Sequence, residues 1–266
     1  MPYPVPKFQR SRIRLFFLVG VLCLVNGCAG LIRPAQHDQK ALAWVTRWTE
    51  RNASLEQFKG LMQVQIQTRG RTLHGRAAFA GAIPDRLRLD FLNVIGQPLF
   101  SLAGNGRNIT VMNMQAGQIH ILEQTDAALE RFTGIHMSIE DFLDVLAGRP
   151  PLPEYAAAQV PEGKRPCAVE LKTQWHVLLA ELQSDACEHP DVLKVYGREG
   201  ELQYTIHWLQ WQSLQDYAVP RKVLITSGGG ARVDLVIQRF WPEPTSLSPS
   251  TFILDYPEFF PKNGAP

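Results

Sequence analysis

A thiol, a carboxylate and an imidazole adjoin at Cys187, Glu188 and His189. These are metal-ligating groups, but a stable metal site needs three or four ligands at workable spacing. His176 and His207 fall on other segments, so no metal is expected. Ser227-Gly228-Gly229-Gly230 is glycine-rich. A phosphate-cradling loop also needs a following Lys-Ser/Thr and an opening helix, and neither is present. The run reads as a hairpin turn. Glu140 and Asp141 are adjacent carboxylates in the first turn of a predicted helix, where the helix dipole favours them. Ser101 and Asp90 lack a nucleophile-elbow setting. No catalytic set, metal or cofactor is expected, and the chain does not read as an enzyme.

The other reactive group is Cys28. Lys7, Arg10, Arg12 and Arg14 precede an uncharged apolar run over 15–25. That run is short of the roughly 20 apolar residues of a spanning helix and fits the core of a secretory signal. Val25-Asn26-Gly27-Cys28 then resembles a bacterial lipobox, which implies cleavage after residue 27 and acylation of Cys28. Buried methylenes at about 0.8 kcal/mol each would then hold the chain on a membrane. Ala29, not Asp, follows, which resembles the sorting pattern for the outer membrane of Gram-negative bacteria.

Removing the signal takes away four cations and no acid, so the formal charge of +2 becomes −2. No electrostatic footprint for nucleic acid remains. Cys167 and Cys187 are the cysteines left besides Cys28. In an oxidising compartment they either pair across a hairpin or stay free, and spacing alone does not decide.

The elements that would position a site are mostly strands. Met62, Val64 and Ile66 alternate with glutamines, and Leu87, Leu89 and Phe91 alternate with Arg86, Arg88 and Asp90. Period-two alternation buries one face and wets the other. Short turns between sequential strands predict an antiparallel meander. Ala41, Trp44, Val45 and Trp48 repeat at helical spacing after a tether, within 28–57. Helices are expected near 126–148, from Asp126 to Phe132 and, with Ser138 before it as in a capping box, through Phe142, Leu143 and Leu146. Residues 150–166 read as a surface loop. Trp208 and Trp211 are expected on opposite faces of one strand. The fold class is mainly β with a few helices: a half-open antiparallel β-barrel of about ten or eleven strands with a helical lid. The barrel domain is placed at 58–241, and a Pro-rich tail at 242–266 is expected to pack partly through Phe252 and Ile253.

One joint is odd. Asn93-Val94-Ile95-Gly96-Gln97-Pro98 is a turn carrying two bulky aliphatics. An exposed apolar pair must be covered from outside or touch something. With Asp85-Arg86-Leu87-Arg88-Leu89, Leu146-Ala147-Gly148-Arg149-Pro150 and Val219-Pro220-Arg221-Lys222-Val223, this joint resembles the LolB/LolA family of lipoprotein carriers. The features span 58–240 in the family's order. Val94 stands where LolB has Pro, and Ile95 where it has an exposed Leu that serves membrane insertion of cargo.

The resemblance implies a half-open barrel whose apolar cavity holds acyl chains. Met62, Val64, Ile66, Leu87, Leu89, Phe91, Phe100 and Leu102 are the expected lining, and Val94 and Ile95 the membrane-insertion loop. It further implies an outer-membrane, lipid-anchored monomer facing the periplasm. Such a protein binds acyl chains of lipoproteins or lipid and accepts lipoproteins from a LolA-like periplasmic carrier. The alternative is an assembly lipoprotein using the barrel as a protein-docking module.

Overall fold

The computed structural model describes residues 37–163, 167–243 and 246–255. The expected signal at 1–27, Cys28, the expected tether up to residue 36, and 244–245 and 256–266 lie outside the described residues. Among the described residues thirteen strands occur: β1 Gln57–Thr68, β2 Arg71–Ala82, β3 Arg86–Leu92, β4 Pro98–Asn105, β5 Asn108–Asn113, β6 Gln118–Glu123, β7 Ala157–Gln159, β8 Cys167–Lys172, β9 Leu178–Ser184, β10 Val192–Tyr196, β11 Leu202–Leu214, β12 Tyr217–Ser227 and β13 Arg232–Pro242. Among the described residues three α-helices accompany them: α1 Gln39–Glu50, α2 Glu130–Thr133 and α3 Ile139–Leu146.

All strand pairs are antiparallel, in one sheet ordered β6-β5-β4-β3-β2-β1-β13-β12-β11-β10-β9-β8-β7. The expected ten or eleven strands are thirteen, and the sheet stays open, with β6 and β7 as its two edges. One of the added strands has a plain physical reason. Three residues within the Pro- and Ala-rich stretch, too few to show alternation, pair with β8 as β7. Strand directions alternate, so six turns share one end of the sheet: β1–β2, β3–β4, β5–β6, β8–β9, β10–β11 and β12–β13.

The buried face carries the core. Phe58, Phe79 and Phe240 cluster with ring centroids 5.1–6.2 Å apart, joining β1, β2 and β13. Helix α1 starts at Asp38, whose carboxylate accepts from Lys40 N–H at 2.8 Å. It buries Ala41, Trp44, Val45 and Trp48 and packs on β7 and β8. Helix α3 starts at Ser138, whose hydroxyl accepts from Asp141 N–H at 2.9 Å. It lies hard against the sheet at two glycines: a Cβ on Gly81 would stand 2.6 Å from Leu143 Cδ2, and one on Gly104 would collide with Ile139. Helix α2 is a single turn rather than the expected 126–132. Thr125 does not cap it; Leu129 precedes it with no side-chain cap, and left-handed Gly134 (φ 72°) ends it.

Two further expectations change. Trp208 and Trp211 do not face opposite sides: β11 bulges between them, and the rings stack with centroids 6.3 Å apart. An extra residue in a bulge resets the alternation. The tail covers the back of the sheet, but through Phe252 and Leu254. Phe252 packs on Ala80 and Ala82, and Leu254 on Ala103, Met112 and Ile119, while Ile253 is exposed. Cys167 and Cys187 are joined by a disulfide, with Cα atoms 5.4 Å apart.

Candidate functional site: a lidded apolar cavity and the turns at its mouth

Between the buried face and the helical segment lies a cavity of about 440 Å³. Its wall comes from β1 (Met62, Val64, Ile66), β3 (Leu89, Phe91), β4 (Phe100, Leu102) and β13 (Val233, Leu235). Leu129, Phe132 and Phe142 close it from the helical side. The rings of Phe100 and Phe132 meet at 6.3 Å, which ties α2 to the wall. Seven of the eight residues expected to line the cavity do so. Leu87 does not. It pairs with Gly81 and Gly104, the two positions where α3 presses on the sheet, so it is sealed beneath Leu143 and Ile139.

Alternation did not single out Val233 and Leu235, although they alternate with Arg232 and Asp234. Leu129 and Phe132 fall within the helix expected at 126–132, but α2 is too short for a period to show which of its residues face the cavity.

The two halves of the lid are held differently. Helix α3 is bonded to the sheet along its length. Trp208 Nε1–H donates to Val145 O at 3.4 Å, and Tyr204 O–H to Asp141 at 3.5 Å. Asn52, in a left-handed conformation, donates through Nδ2 to Ala147 O and Ala218 O, both at 2.7 Å. Arg149 pairs with Asp144 at 2.5 Å. Burial raises the Asp141 and Asp144 carboxyls above their ordinary range, offset in part by Ser138 and Arg149 respectively. The phenol of Tyr204 is pushed up by burial and by the Asp141 charge. No comparable set of bonds ties α2 to the sheet among the described residues.

At the mouth end, the β3–β4 turn is built by its own polar groups. Asn93 Oδ1 accepts from Ile95 N–H at 3.0 Å and Gln97 N–H at 2.9 Å, and Asn93 N–H donates to Gln97 O at 2.8 Å. Gly96 takes φ 86°, which favours glycine. This local closure leaves Val94 fully exposed and Ile95 75% exposed. Leu73, Met114, Trp175 and Val177 are also exposed large apolar residues, and each lies at or beside a turn of the same end. Several cavity-lining residues, among them Leu73, Gly75, Leu99 and Asn113, lie toward that end.

The candidates for other chemistry lie elsewhere. His189 stacks on Trp211 with centroids 4.3 Å apart, and burial lowers its pKa. A second hollow of about 450 Å³ lies on the opposite face, bordered by Lys59, Arg88, Trp241 and Thr251; it contains none of the expected site residues.

No protein-family model matches the sequence, and no curated protein does. Solved structures do match in fold. A LolA superfamily protein from Nitrosomonas europaea superposes with a TM-score of 0.53 at 12% identity, over 81% of this chain and 98% of that one. The two chains are therefore alike in fold. A DUF1329 family protein from Desulfovibrio piger superposes with a TM-score of 0.52 at 10% identity, again over 81% of this chain and 98% of the other. The likeness in fold thus covers about four fifths of this chain, while the finer likeness to LolB rests on the short sequence motifs.

Proposed function

We propose that this chain is an outer-membrane lipoprotein, anchored through an acylated Cys28 and facing the periplasm. It takes acyl chains into the lidded cavity and accepts or inserts lipoproteins there, with a LolA-like carrier as donor. It acts as a carrier, not as an enzyme. The observation that supports this reading best is a coincidence of place. The apolar cavity runs toward the end of the sheet that displays Val94, Ile95, Leu73, Met114, Trp175 and Val177. A cavity for chains and apolar tips that can enter a bilayer are useful together only if chains pass between them.

Burying one aliphatic side chain is worth about 1.5–3 kcal/mol. That is too little to anchor a protein, but it is enough to tilt a tethered one toward the bilayer. Ile95→Glu should therefore leave the fold and acyl binding intact and abolish transfer of a lipoprotein into vesicles. Thermal unfolding, displacement of a fluorescent fatty acid and vesicle transfer measure the three separately. Unchanged transfer would remove the delivery role. A wild-type protein that retains no lipid but holds a stable protein partner would favour the docking-module reading.

A further inference from the structure

The cavity lining has a charge pattern that acyl binding alone does not require. It includes Arg71, Arg76 and Arg131 and no Asp or Glu. Arg71 and Arg131 are exposed, and Arg71 shares the face of Leu73 and Ile66, so these two mark the open side of the cavity and not its depth; Arg76 pairs with Gln63 and Leu92 on the other face of the sheet. None of them forms an ion pair among the described residues, whereas Lys59, Arg88, Lys172, Lys194 and Arg232 each have a carboxylate partner.

The fold brings two of the three to one corner. Arg71 opens β2 directly opposite Thr68, the last residue of β1. Gly134, immediately after α2, lies on that same residue: a Cβ there would stand 3.3 Å from Thr68 Cγ2. The turn that carries Arg131 therefore rests on the end of the hairpin that carries Arg71. Phe132, the next residue, reaches the cavity wall at Phe100. The corner thus has cations outside and aromatic and aliphatic groups inside. Two unneutralised guanidiniums at one corner repel each other, and an anion relieves that repulsion. Guanidinium binds phosphate with paired, charge-assisted hydrogen bonds.

We infer that the cavity is built for an acyl ligand with an anionic phosphate headgroup: the chains lie against Met62, Val64, Leu89 and Phe142, and the phosphate sits between Arg71 and Arg131. This rests on the acyl-binding reading and names the ligand class within it, a phospholipid in addition to the acyl chains of a lipoprotein.

The test uses the full mature chain kept soluble by Cys28→Ala. Its probes are short-chain phosphatidylglycerol, the diacylglycerol of the same chain length, and inorganic phosphate, each at low and high salt. Phosphatidylglycerol should bind about tenfold or more tighter than diacylglycerol, as one or two charge-assisted hydrogen bonds imply. High salt should erode that difference and leave diacylglycerol binding unchanged. Arg71→Gln with Arg131→Gln, both at exposed positions, should bring phosphatidylglycerol to the diacylglycerol level and leave diacylglycerol where it was. Equal affinity for the two lipids overturns the inference while leaving acyl binding standing, as does a double variant that weakens both alike. Inorganic phosphate binding as tightly as phosphatidylglycerol also overturns it, leaving a simple anion site. Failure of both lipids to bind removes the acyl reading and this inference together.

Discussion

Leu89 is the residue on which the cavity can be tested with least ambiguity. It lies on β3 between Phe79 and Leu102, is nearly buried, and lines the wall. Placing a carboxylate there without a partner costs several kcal/mol if the group is kept from water. Leu89→Glu should weaken acyl binding by about tenfold or more. Circular dichroism must first show that the variant is folded, and displacement of a fluorescent fatty acid then reads the affinity. A folded variant with normal affinity would place the ligand elsewhere. Leu87, two residues earlier, makes the contrast. The same alternation marks both, yet one lines a cavity and the other lies under a helix. Sequence period identifies the face of a strand; it does not say what stands over that face. That depends on Gly81 and Gly104, whose missing side chains let α3 approach. Val94 and Ile95 were legible for the opposite reason. Asn93 and Gly96 close the turn using only local bonds, so nothing distant enters the outcome.

Among the elements, α3 depends most on one distant residue. Asn52 follows α1, is buried, and holds the end of α3 at Ala147 and β12 at Ala218, whose own N–H it accepts at 3.3 Å. Removing the amide leaves buried backbone groups unpaired, at a cost of about 1–3 kcal/mol. Asn52 also has φ 57°, which Ala tolerates poorly and Gly well. Asn52→Ala should thus destabilise the protein by about 2–3 kcal/mol, and Asn52→Gly by less. Chemical denaturation of both variants checks the order; equal losses would mean that the backbone conformation contributes nothing. In the sequence this residue reads only as the end of a helix. The same limit explains the other departures at this scale. β7 is too short for a period, α2 is one turn, and the bulge in β11 moves Trp211 to the side of Trp208. The long alternating strands, α1 and the capped start of α3 were legible because each carries its own pattern.

For the whole molecule, the proposed anchor decides where the cavity operates. If Cys28 carries the acyl chains, wild-type protein should fractionate with the outer membrane, and Cys28→Ala should appear in the soluble periplasm or remain unprocessed. Wild-type protein in the soluble fraction would end the anchored reading. The sheet order has a separate consequence, which concerns time. β1–β6 and β7–β13 are each zipped by neighbours in sequence, and one ladder, β1 with β13, joins them. That ladder unites the first strand made with the last. Hairpins can form in either half as the chain becomes available, but Met62, Val64 and Ile66 lack their neighbours Ile237, Leu235 and Val233 until the final strand arrives. Closing so long a loop is slow compared with hairpin formation. Through that interval β1 offers a free strand edge beside an unfinished apolar wall, the combination most prone to pairing with another copy. The newly made chain is therefore most in need of protection after nearly all of it has folded.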